Sequence, residues 1–285
     1  MNTVSLSIDG QPVEVAAGTT ILEAAGSLDI YIPVLCHHPD LPPAQGGESA
    51  RIVFQGDREL KNAMPEEPGR GCGLCVVEVE GEEELVGACA TEAAEAMVVI
   101  THSDRIKAAR QEKLMPIMAR HRHACLTCAQ QEGCPRSQCS SNVPENERCC
   151  PQFGHCELQN VANHVGIPAA TPKWLPTDSA RLKDHPLFER DYNLCIGCTR
   201  CVRACRDLRG IGAIGFIYDE NGRVQIGSLA ETWRPPDVNF VRPVWRSAPP
   251  GPWWTKGWNP QHGKRTLCRV KPPVRLASMS PGICV

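Results

Sequence analysis

The sequence has few aromatic residues, no long apolar run and almost no net charge. Aromatic residues make up 5% of its 285 residues, and the basic and acidic side chains leave a formal charge of −2. A near-neutral chain lacks the basic surface that nucleic acids and anionic membranes bind. No apolar segment approaches the roughly eighteen residues of a membrane span, and the polar start MNTVSLSIDGQ is unlike a signal peptide. We therefore expect a cytoplasmic protein without nucleic-acid partners or direct membrane insertion.

Cysteine, in contrast, is abundant, with 17 residues in the chain. Without an export signal the thiols stay reduced, so metal or cluster ligation is favoured over a disulfide framework. The chain also holds 24 glycines and 25 prolines, which indicates a loop-rich fold stabilised in part by its inorganic centres. This length predicts two or three small domains.

Residues 1–100 are predicted to form a β-grasp domain of the ferredoxin type. The alternating segment VSLSIDGQPVEV has Asp9-Gly10 at its middle, which predicts a hairpin. Thr20 is a suitable N-cap for a short helix over ILEAAGSL. The segments VVEVEG, EELVGAC and AMVVITHS predict the remaining strands, so the expected fold class is α+β.

Four cysteines of this domain have the order of a plant-type [2Fe–2S] ligand set. They are Cys36, Cys72, Cys75 and Cys89. The first spacing is longer than in that pattern, because residues 44–69 form an insertion rich in charge, glycine and proline. We expect an inserted surface loop or small hairpin whose ends stay close together.

Residues 101–165 carry a second set of ligand-type residues, in the segment HRHACLTCAQQEGC. The set is His121, Cys125, Cys128 and Cys134. Three thiolates and one imidazole at this spacing indicate a metal site, and zinc is the alternative to iron. A helix predicted to start at Ser103, and to kink at Pro116, would place His121 and Cys125 on the same side of one metal.

These motifs resemble the N-terminal half of the large iron–sulfur subunit of NADH dehydrogenases and of related NAD-linked hydrogenases and formate dehydrogenases. The resemblance covers roughly residues 1 to 230. It implies a [2Fe–2S] cluster on the first cysteine set and a [4Fe–4S] cluster on the histidine-containing set. It also implies flavin- and NAD(P)H-binding and catalytic oxidoreductase subunits as partners.

The fourth ligand of the histidine-containing set has two candidates. In the family the last cysteine is commonly followed by an acidic residue, Leu and Gln, and here that signature follows Cys156. The short spacing favours Cys134, with Cys156 as the alternative. The cysteines of the intervening insertion are then spare for a further cluster or a zinc ion; with Cys134 as the ligand, the spare set is Cys139, Cys149, Cys150 and Cys156.

Residues 187–232 contain the [4Fe–4S] motif of bacterial ferredoxins, after a proline-rich linker at 166–186. Its cysteines are Cys195, Cys198, Cys201 and Cys205. Arg206 replaces the usual proline, and the second motif of a two-cluster ferredoxin is missing. Glycines 210, 212 and 215 match a dinucleotide fingerprint, but they follow a cluster loop instead of a strand, so no nucleotide site is predicted. We expect one [2Fe–2S] cluster and one to three [4Fe–4S] clusters, with two as the preferred number.

The composition changes at about residue 233, where a segment begins that holds all but one of the tryptophans. Four residue junctions between 237 and 248 permit Cys codons in a shifted frame, at the spacing C-x2-C-x2-C-x3-C. Residues 233–285 are therefore interpreted as a frameshifted and disordered tail. Resequencing the gene across this codon tests the idea, and an intact frame without an insertion or deletion in close copies would contradict it.

The sequence thus predicts an electron-transfer component of an oxidoreductase, without a complete catalytic site in this chain. Two alternatives are a structural zinc-binding interaction module and a non-functional frameshifted fragment. The plant-type set argues against zinc, because its cysteines are dispersed over a β-grasp pattern and are not grouped as two C-x2-C pairs.

Overall fold

A computed structural model describes residues 2–123, 126, 156–172, 174, 181–183, 188–231 and 253–255. The strands are β1 Thr3–Ile8, β2 Gln11–Ala16, β3 Ile52–Gln55, β4 Arg58–Lys61, β5 Val76–Val79, β6 Val86–Gly87, β7 Val98–Ile100, β8 Arg181–Leu182, β9 Phe188–Asp191, β10 Ile214–Tyr218, β11 Val224–Ser228 and β12 Trp253–Thr255. The helices are α1 Ile21–Ser27, α2 Asp104–Met118, α3 Glu157–Val165 and α4 Arg200–Arg203. A 3-10 turn spans Tyr192–Leu194, and α4 continues as a π-helical turn over Ala204–Leu208. Among the described residues, no helix combines the length and apolar character that crossing a bilayer requires.

The N-terminal residues form a five-stranded mixed sheet in the order β2-β1-β7-β5-β6, with β1 and β7 parallel. Asp9 and Gly10 both have positive φ, at 51° and 79°, as the tight turn between β1 and β2 requires. Helix α1 starts at a capping box in which Thr20 and Glu23 satisfy each other's backbone N–H groups. The sheet and α1 bury an apolar core around Ile8, and this is the α+β ferredoxin-type fold expected from the sequence.

Helix α2 connects this domain to the next. Ser103 caps its N-terminus through a hydrogen bond to the Ile106 N–H, as predicted, and Pro116 lies inside the helix. Arg110 is buried on α2 and donates to the Val76 carbonyl of β5 at 2.9 Å, which fixes the helix against the sheet. Helix α3 packs with α2 around a second apolar core that includes Leu114.

The insertion at 44–69 contains the hairpin β3–β4, and this hairpin is part of a four-stranded sheet in the order β10-β11-β3-β4. The surface-loop alternative is therefore wrong for β3, where Val53 is fully buried. The buried side chain of Gln55 donates to the Ile226 carbonyl at 2.8 Å, and Gly46 and Gly69 close the ends of the insertion by a 2.9 Å backbone hydrogen bond. The insertion thus joins the first cysteine set to the sheet of residues 214–228.

A three-stranded sheet, β12-β9-β8, includes residues that the sequence assigns to the linker and to the tail. Strand β8 lies within the segment interpreted as a linker and pairs antiparallel with β9. Strand β12 lies within the segment interpreted as a disordered tail and also pairs with β9. The expected disorder does not hold for these three residues, and the rest of 232–285 lies outside the described residues.

Candidate functional site

Cys36, Cys72, Cys75 and Cys89, the first candidate set, come together beside the five-stranded sheet. The Sγ atoms of Cys75 and Cys89 are 3.3 Å apart, and the Cys36 thiol lies within hydrogen-bonding range of Cys72 and Cys89. Backbone N–H groups point at two of the sulfurs: Leu35 N–H at Cys72 Sγ and Cys72 N–H at Cys36 Sγ, both at 3.4 Å. This is a compact sulfur cage lined by hydrogen-bond donors, which fits a metal–sulfur cluster.

The thiols of this cage divide into two kinds by their ionisation. Hydrogen bonds from the Cys36 and Cys75 thiols, and from the Gln45 amide, lower the pKa of Cys89. A hydrogen bond from the Cys36 thiol, followed by backbone N–H groups, lowers the pKa of Cys72. The pKa values of Cys36 and Cys75 are raised, because these thiols donate to their neighbours and are buried. Ligation needs all four thiols ionised. Bound iron would therefore have to supply the positive charge that stabilises the thiolates of Cys36 and Cys75.

Gln45, from the start of the insertion, reaches into the same cage. Its Nε2 lies 3.6 Å from Cys89 Sγ, and its Oε1 is buried without a hydrogen-bond partner. Gly71 has a φ of 72°, and a Cβ added there would lie 3.1 Å from Gln45 Nε2 and 3.6 Å from Cys36 Sγ. The cage therefore requires glycine at 71, and Gln45 places a polar amide against its sulfurs. Cysteine spacing carried no signal for Gln45.

His121 follows α2, and one of its ring nitrogens is hydrogen-bonded whereas the other has no hydrogen-bond partner. Its Nδ1 lies 2.9 Å from the Ile117 carbonyl oxygen, which only accepts, so Nδ1 carries the proton. Nε2 is buried and has no hydrogen-bond partner. Burial lowers the pKa of His121, although the carbonyls of Ile117 and Leu194 act in the opposite direction. The lowered pKa keeps the ring neutral. A neutral imidazole oriented through Nδ1–H is the usual form of a metal ligand.

The three predicted cysteine ligands of this second set, Cys125, Cys128 and Cys134, lie outside the described residues. So do three cysteines of the possible further site, Cys139, Cys149 and Cys150. Cys156 is described, and it stands at the N-cap of α3, where it packs against the apolar core around Leu114 together with Leu126, Cys72 and Cys198. The residue after it, Glu157, forms a bidentate ion pair with Arg200 at 2.7 and 3.3 Å. Cys156 is thereby tied to the third cysteine set.

The third set, Cys195, Cys198, Cys201 and Cys205, wraps from the loop after the 3-10 turn into α4. Backbone N–H groups of Gly197, Arg200 and Val202 point at the first three sulfurs, and the Ala213 N–H lies 3.0 Å from Cys205 Sγ. Burial raises the pKa of the first three thiols, to about 12 for Cys198. N–H donors around buried sulfurs fit a cluster, because they stabilise the ionised form that an isolated buried thiol resists.

Gly197 and Thr199 give this loop its sharp turn. Their φ values are 71° and 55°, and a Cβ at 197 would lie 2.9 Å from the Val224 side chain, so only glycine fits there.

Arg206, in the position usually held by proline, is half exposed and pairs with Asp207 at 2.8 Å. Glycines 210 and 212 lie between the π-helical turn and β10 in this described segment, and not between a strand and a helix.

A buried cation, Arg203, connects the first and third sets. Its guanidinium donates to the carbonyls of Pro42 and Cys36 and, at 3.4 Å, to that of Cys198. Sequence reasoning missed this residue, because an Arg between cysteines of a compact motif carries no signal of its contact with residues far earlier in the chain. No disulfide joins two cysteines of the described part of the chain.

The fold and the first sulfur cage define a ferredoxin-type [2Fe–2S] domain, and a family model agrees. Residues 1–104 match the family described as "2Fe-2S iron-sulfur cluster binding domain". This match covers the five-stranded sheet, α1, the inserted hairpin and the four cysteines of the first set. Beyond residue 104 the similarity is carried by whole-chain comparisons.

Curated relatives extend the similarity to about three quarters of the chain. The mitochondrial NADH-ubiquinone oxidoreductase 78 kDa subunit of Candida albicans is 28% identical over 232 residues, which are 80% of this chain and 25% of the relative. NADP-reducing hydrogenase subunit HndD of Solidesulfovibrio fructosivorans is 29% identical over 222 residues, 76% of this chain and 30% of the relative. Putative formate dehydrogenase YrhE of Bacillus subtilis is 27% identical over 213 residues, 73% of this chain and 17% of the relative. The chain thus spans less than a third of the length of these relatives.

A solved structure shares the fold. A chain of the NAD+-reducing [NiFe]-hydrogenase in its H2-reduced state aligns with a TM-score of 0.59 and 24% identity, over 89% of this chain and 88% of that one. This similarity shows the shared fold, and the curated relatives confirm the resemblance to NADH dehydrogenases, hydrogenases and formate dehydrogenases that the cysteine motifs predict.

Proposed function

We propose that this protein is an iron–sulfur electron-transfer subunit of a multi-subunit oxidoreductase. The observation that carries the proposal is the position of two complete cysteine sets, each lined by N–H donors, in one framework joined by buried Arg203. The relatives named above are an NADH-ubiquinone oxidoreductase, an NADP-reducing hydrogenase and a putative formate dehydrogenase, which supports a role beside such chemistry. An iron–sulfur cluster, once bound, accepts and returns single electrons.

Three clusters are assigned to the ligand sets. The [2Fe–2S] cluster takes Cys36, Cys72, Cys75 and Cys89. One [4Fe–4S] cluster takes His121, Cys125, Cys128 and Cys134, with Cys156 as the alternative to Cys134, and another takes Cys195, Cys198, Cys201 and Cys205. Cys139, Cys149, Cys150 and Cys156 are candidates for one further site, which would raise the number of [4Fe–4S] clusters from the preferred two to three, the upper limit of the expected range of one to three.

The chain's own residues set the redox character of these sites. The N–H donors at Cys36, Cys72 and Cys205 stabilise negative charge on the sulfurs, and so favour the reduced form. His121 contributes a neutral ligand where a thiolate would add a negative charge, which raises the potential relative to an all-cysteine site. Tight packing of the cysteines in apolar cores limits the access of water.

The partners belong to the same proposal. Flavin- and NAD(P)H-binding and catalytic subunits would carry the hydride, hydrogen or formate chemistry, because the ligand sets assigned above suit the relay of single electrons. A cytoplasmic location is part of the same proposal. The structural zinc-binding module is the rival function, and metal and sulfide analysis separates the two.

Metal and acid-labile sulfide analysis with low-temperature EPR tests the proposal, on protein purified and reduced without oxygen. We expect iron and sulfide in near-equal amounts, with one [2Fe–2S] signal and at least one [4Fe–4S] signal. Cys89→Ser should abolish the [2Fe–2S] signal alone, whereas Cys268→Ser, a cysteine outside every assigned set, should leave all signals intact. Zinc without labile sulfide would refute the electron-relay function and leave the structural module.

A further inference from the structure

Arg203 is a buried cation without an acidic partner among the described residues. It is the last residue of α4, lies between Cys201 and Cys205, and is 3% exposed. Its hydrogen bonds go to backbone carbonyls, and its Nε is buried without a partner. Arg200, one turn earlier and equally buried, is neutralised by Glu157 at 2.7 Å. The two arginines of α4 therefore have different counter-charges.

A buried cation of this kind needs nearby negative charge. Removing a guanidinium from water is unfavourable, and carbonyl dipoles offset only part of that cost. The guanidinium of Arg203 donates to the carbonyls of Cys36 and Cys198, and the thiolates of both residues would be negatively charged as cluster ligands. Two ligand sets thus provide its counter-charge, one from the N-terminal domain and one from its own loop.

The carbonyls that Arg203 binds belong to ligands of different clusters. Cys36 is a ligand of the [2Fe–2S] site, and Cys198 is a ligand of the [4Fe–4S] site of residues 195–205, under the function proposed above. The planar fork of a guanidinium allows it to donate in several directions at once, which the single ammonium of Lys does less well. Pro42, the remaining acceptor, leads into the insertion that carries Gln45.

We propose that Arg203 is a positioning residue that serves as shared counter-charge and hydrogen-bonding link between the [2Fe–2S] cluster and the [4Fe–4S] cluster of residues 195–205. The inference rests on the proposed function. Each cluster with its thiolates is net negative, and reduction adds one more negative charge. One cation between the two sites therefore favours the reduced form of both, and its loss lowers both potentials.

The test is an EPR-monitored redox titration of both clusters with dithionite in the full-length protein. Arg203→Gln should disfavour reduction of each of these two clusters about tenfold, which is 59 mV for a one-electron couple. Arg203→Lys, which retains the charge, should keep both equilibria within about threefold of the original protein. The matched control is Arg206→Gln, since Arg206 is next to Cys205 but solvent-exposed and paired with Asp207. It should change neither equilibrium by more than about threefold.

The outcomes separate this inference from the proposed function. If the original protein lacks either of the two EPR signals, the cluster assignment is refuted. With both signals present, an Arg203→Gln shift at one cluster alone, or at neither, overturns the shared role of Arg203. If Arg203→Gln fails to assemble its clusters, Arg203→Lys decides: potentials close to the original support the link, and a tenfold shift at either cluster overturns it.

Discussion

The side-chain amide of Gln45 lies close enough to Cys89 to tune the first cluster. A thiolate ligand gains negative charge on reduction, so an N–H donor at 3.6 Å from its sulfur favours the reduced form. Gln45→Leu removes this donor and the buried, unpartnered Oε1 together, which leaves no new polar group without a partner. The substitution is therefore suited to isolating one hydrogen bond.

We expect Gln45→Leu to disfavour reduction of the [2Fe–2S] cluster about two- to tenfold, corresponding to a hydrogen bond worth about 0.5–1.5 kcal/mol. The measurement is the midpoint potential of the [2Fe–2S] EPR signal. Gln225→Leu is the control, because the Gln225 amide donates to Asp219 at 3.1 Å and not to a sulfur. An unchanged [2Fe–2S] potential in Gln45→Leu would contradict the role assigned to the amide.

His121 and His123 provide a matched pair for testing the histidine-ligated cluster. Nδ1 of His123 is within 2.9 Å of the carbonyls of Met118 and His121, so this ring has a structural partner, whereas Nε2 of His121 has none. We expect His121→Gln to remove one [4Fe–4S] signal and about four iron atoms per chain, while the [2Fe–2S] signal persists. His123→Gln should retain the iron content. Equal losses in both variants would mean that packing, and not ligation, holds this site.

At the scale of elements, the contact between β11 and the inserted hairpin leaves no room for a side chain at Gly227. A Cβ there would lie 2.6 Å from the Phe54 carbonyl oxygen and 2.9 Å from Val53 Cβ. Neither the backbone of β3 nor the β-carbon of a buried valine can move away without disturbing the sheet. Replacing Gly227 by alanine, the smallest possible enlargement, is therefore expected to lower the stability of the protein measurably.

Gly227→Ala should lower the free energy of unfolding by about 1–3 kcal/mol, the usual cost of overpacking. Gly26→Ala is the control, because Gly26 lies within helix α1 and a Cβ there meets nothing within 4 Å. Its helix propensity should raise stability by about 0.5–1 kcal/mol. Denaturant unfolding at equal iron content measures both. A Gly227→Ala value within about 0.5 kcal/mol of the original protein would show that β3 does not pack as described.

The elements that the sequence predicts well are those with local signals. Asp9-Gly10 specifies its hairpin and Thr20 its helix within a few residues, and the structure contains both. The pairing of β3 with β11 joins Phe54 to Ser228, and no local pattern links residues so far apart. Gln45 and Arg203 were missed for the same reason, since each gains its role only from a partner in another segment. Cysteine spacing, in contrast, is a local signal within the compact loops; the structure brings the first set together, and the assignment of clusters to the three sets stays a prediction.

At the scale of the whole molecule, the described residues form three small apolar cores, and each contains or borders cysteines of the candidate sites. Cys75 and Cys89 belong to the core of the N-terminal sheet, Cys201 and Cys205 to that of β10 and β11, and Cys72 and Cys198 border the core between α2 and α3. Without metal, Cys75 and Cys201 would be protonated, because the hydrogen bond to Cys89 and burial raise the pKa of the Cys75 thiol and burial raises that of Cys201. The bonds that hold cysteines of different elements on one cluster would also be lost. The clusters are thus expected to stabilise the packing between elements more than the elements themselves.

Removing iron with a chelator and ferricyanide should therefore destabilise the protein while leaving part of its local structure. Ligands that bind only the native state at about a thousand times their dissociation constant contribute about 4 kcal/mol, which corresponds to roughly 8–16 °C in Tm for a chain of this size. We expect a Tm lower by at least that amount and a weaker near-UV circular dichroism. Far-UV signal from the locally specified β1–β2 hairpin and α1 should persist. Anaerobic reconstitution with iron and sulfide is the control, since it should restore the Tm, and an apoprotein that melts at the original temperature would show that the cores fold without their clusters.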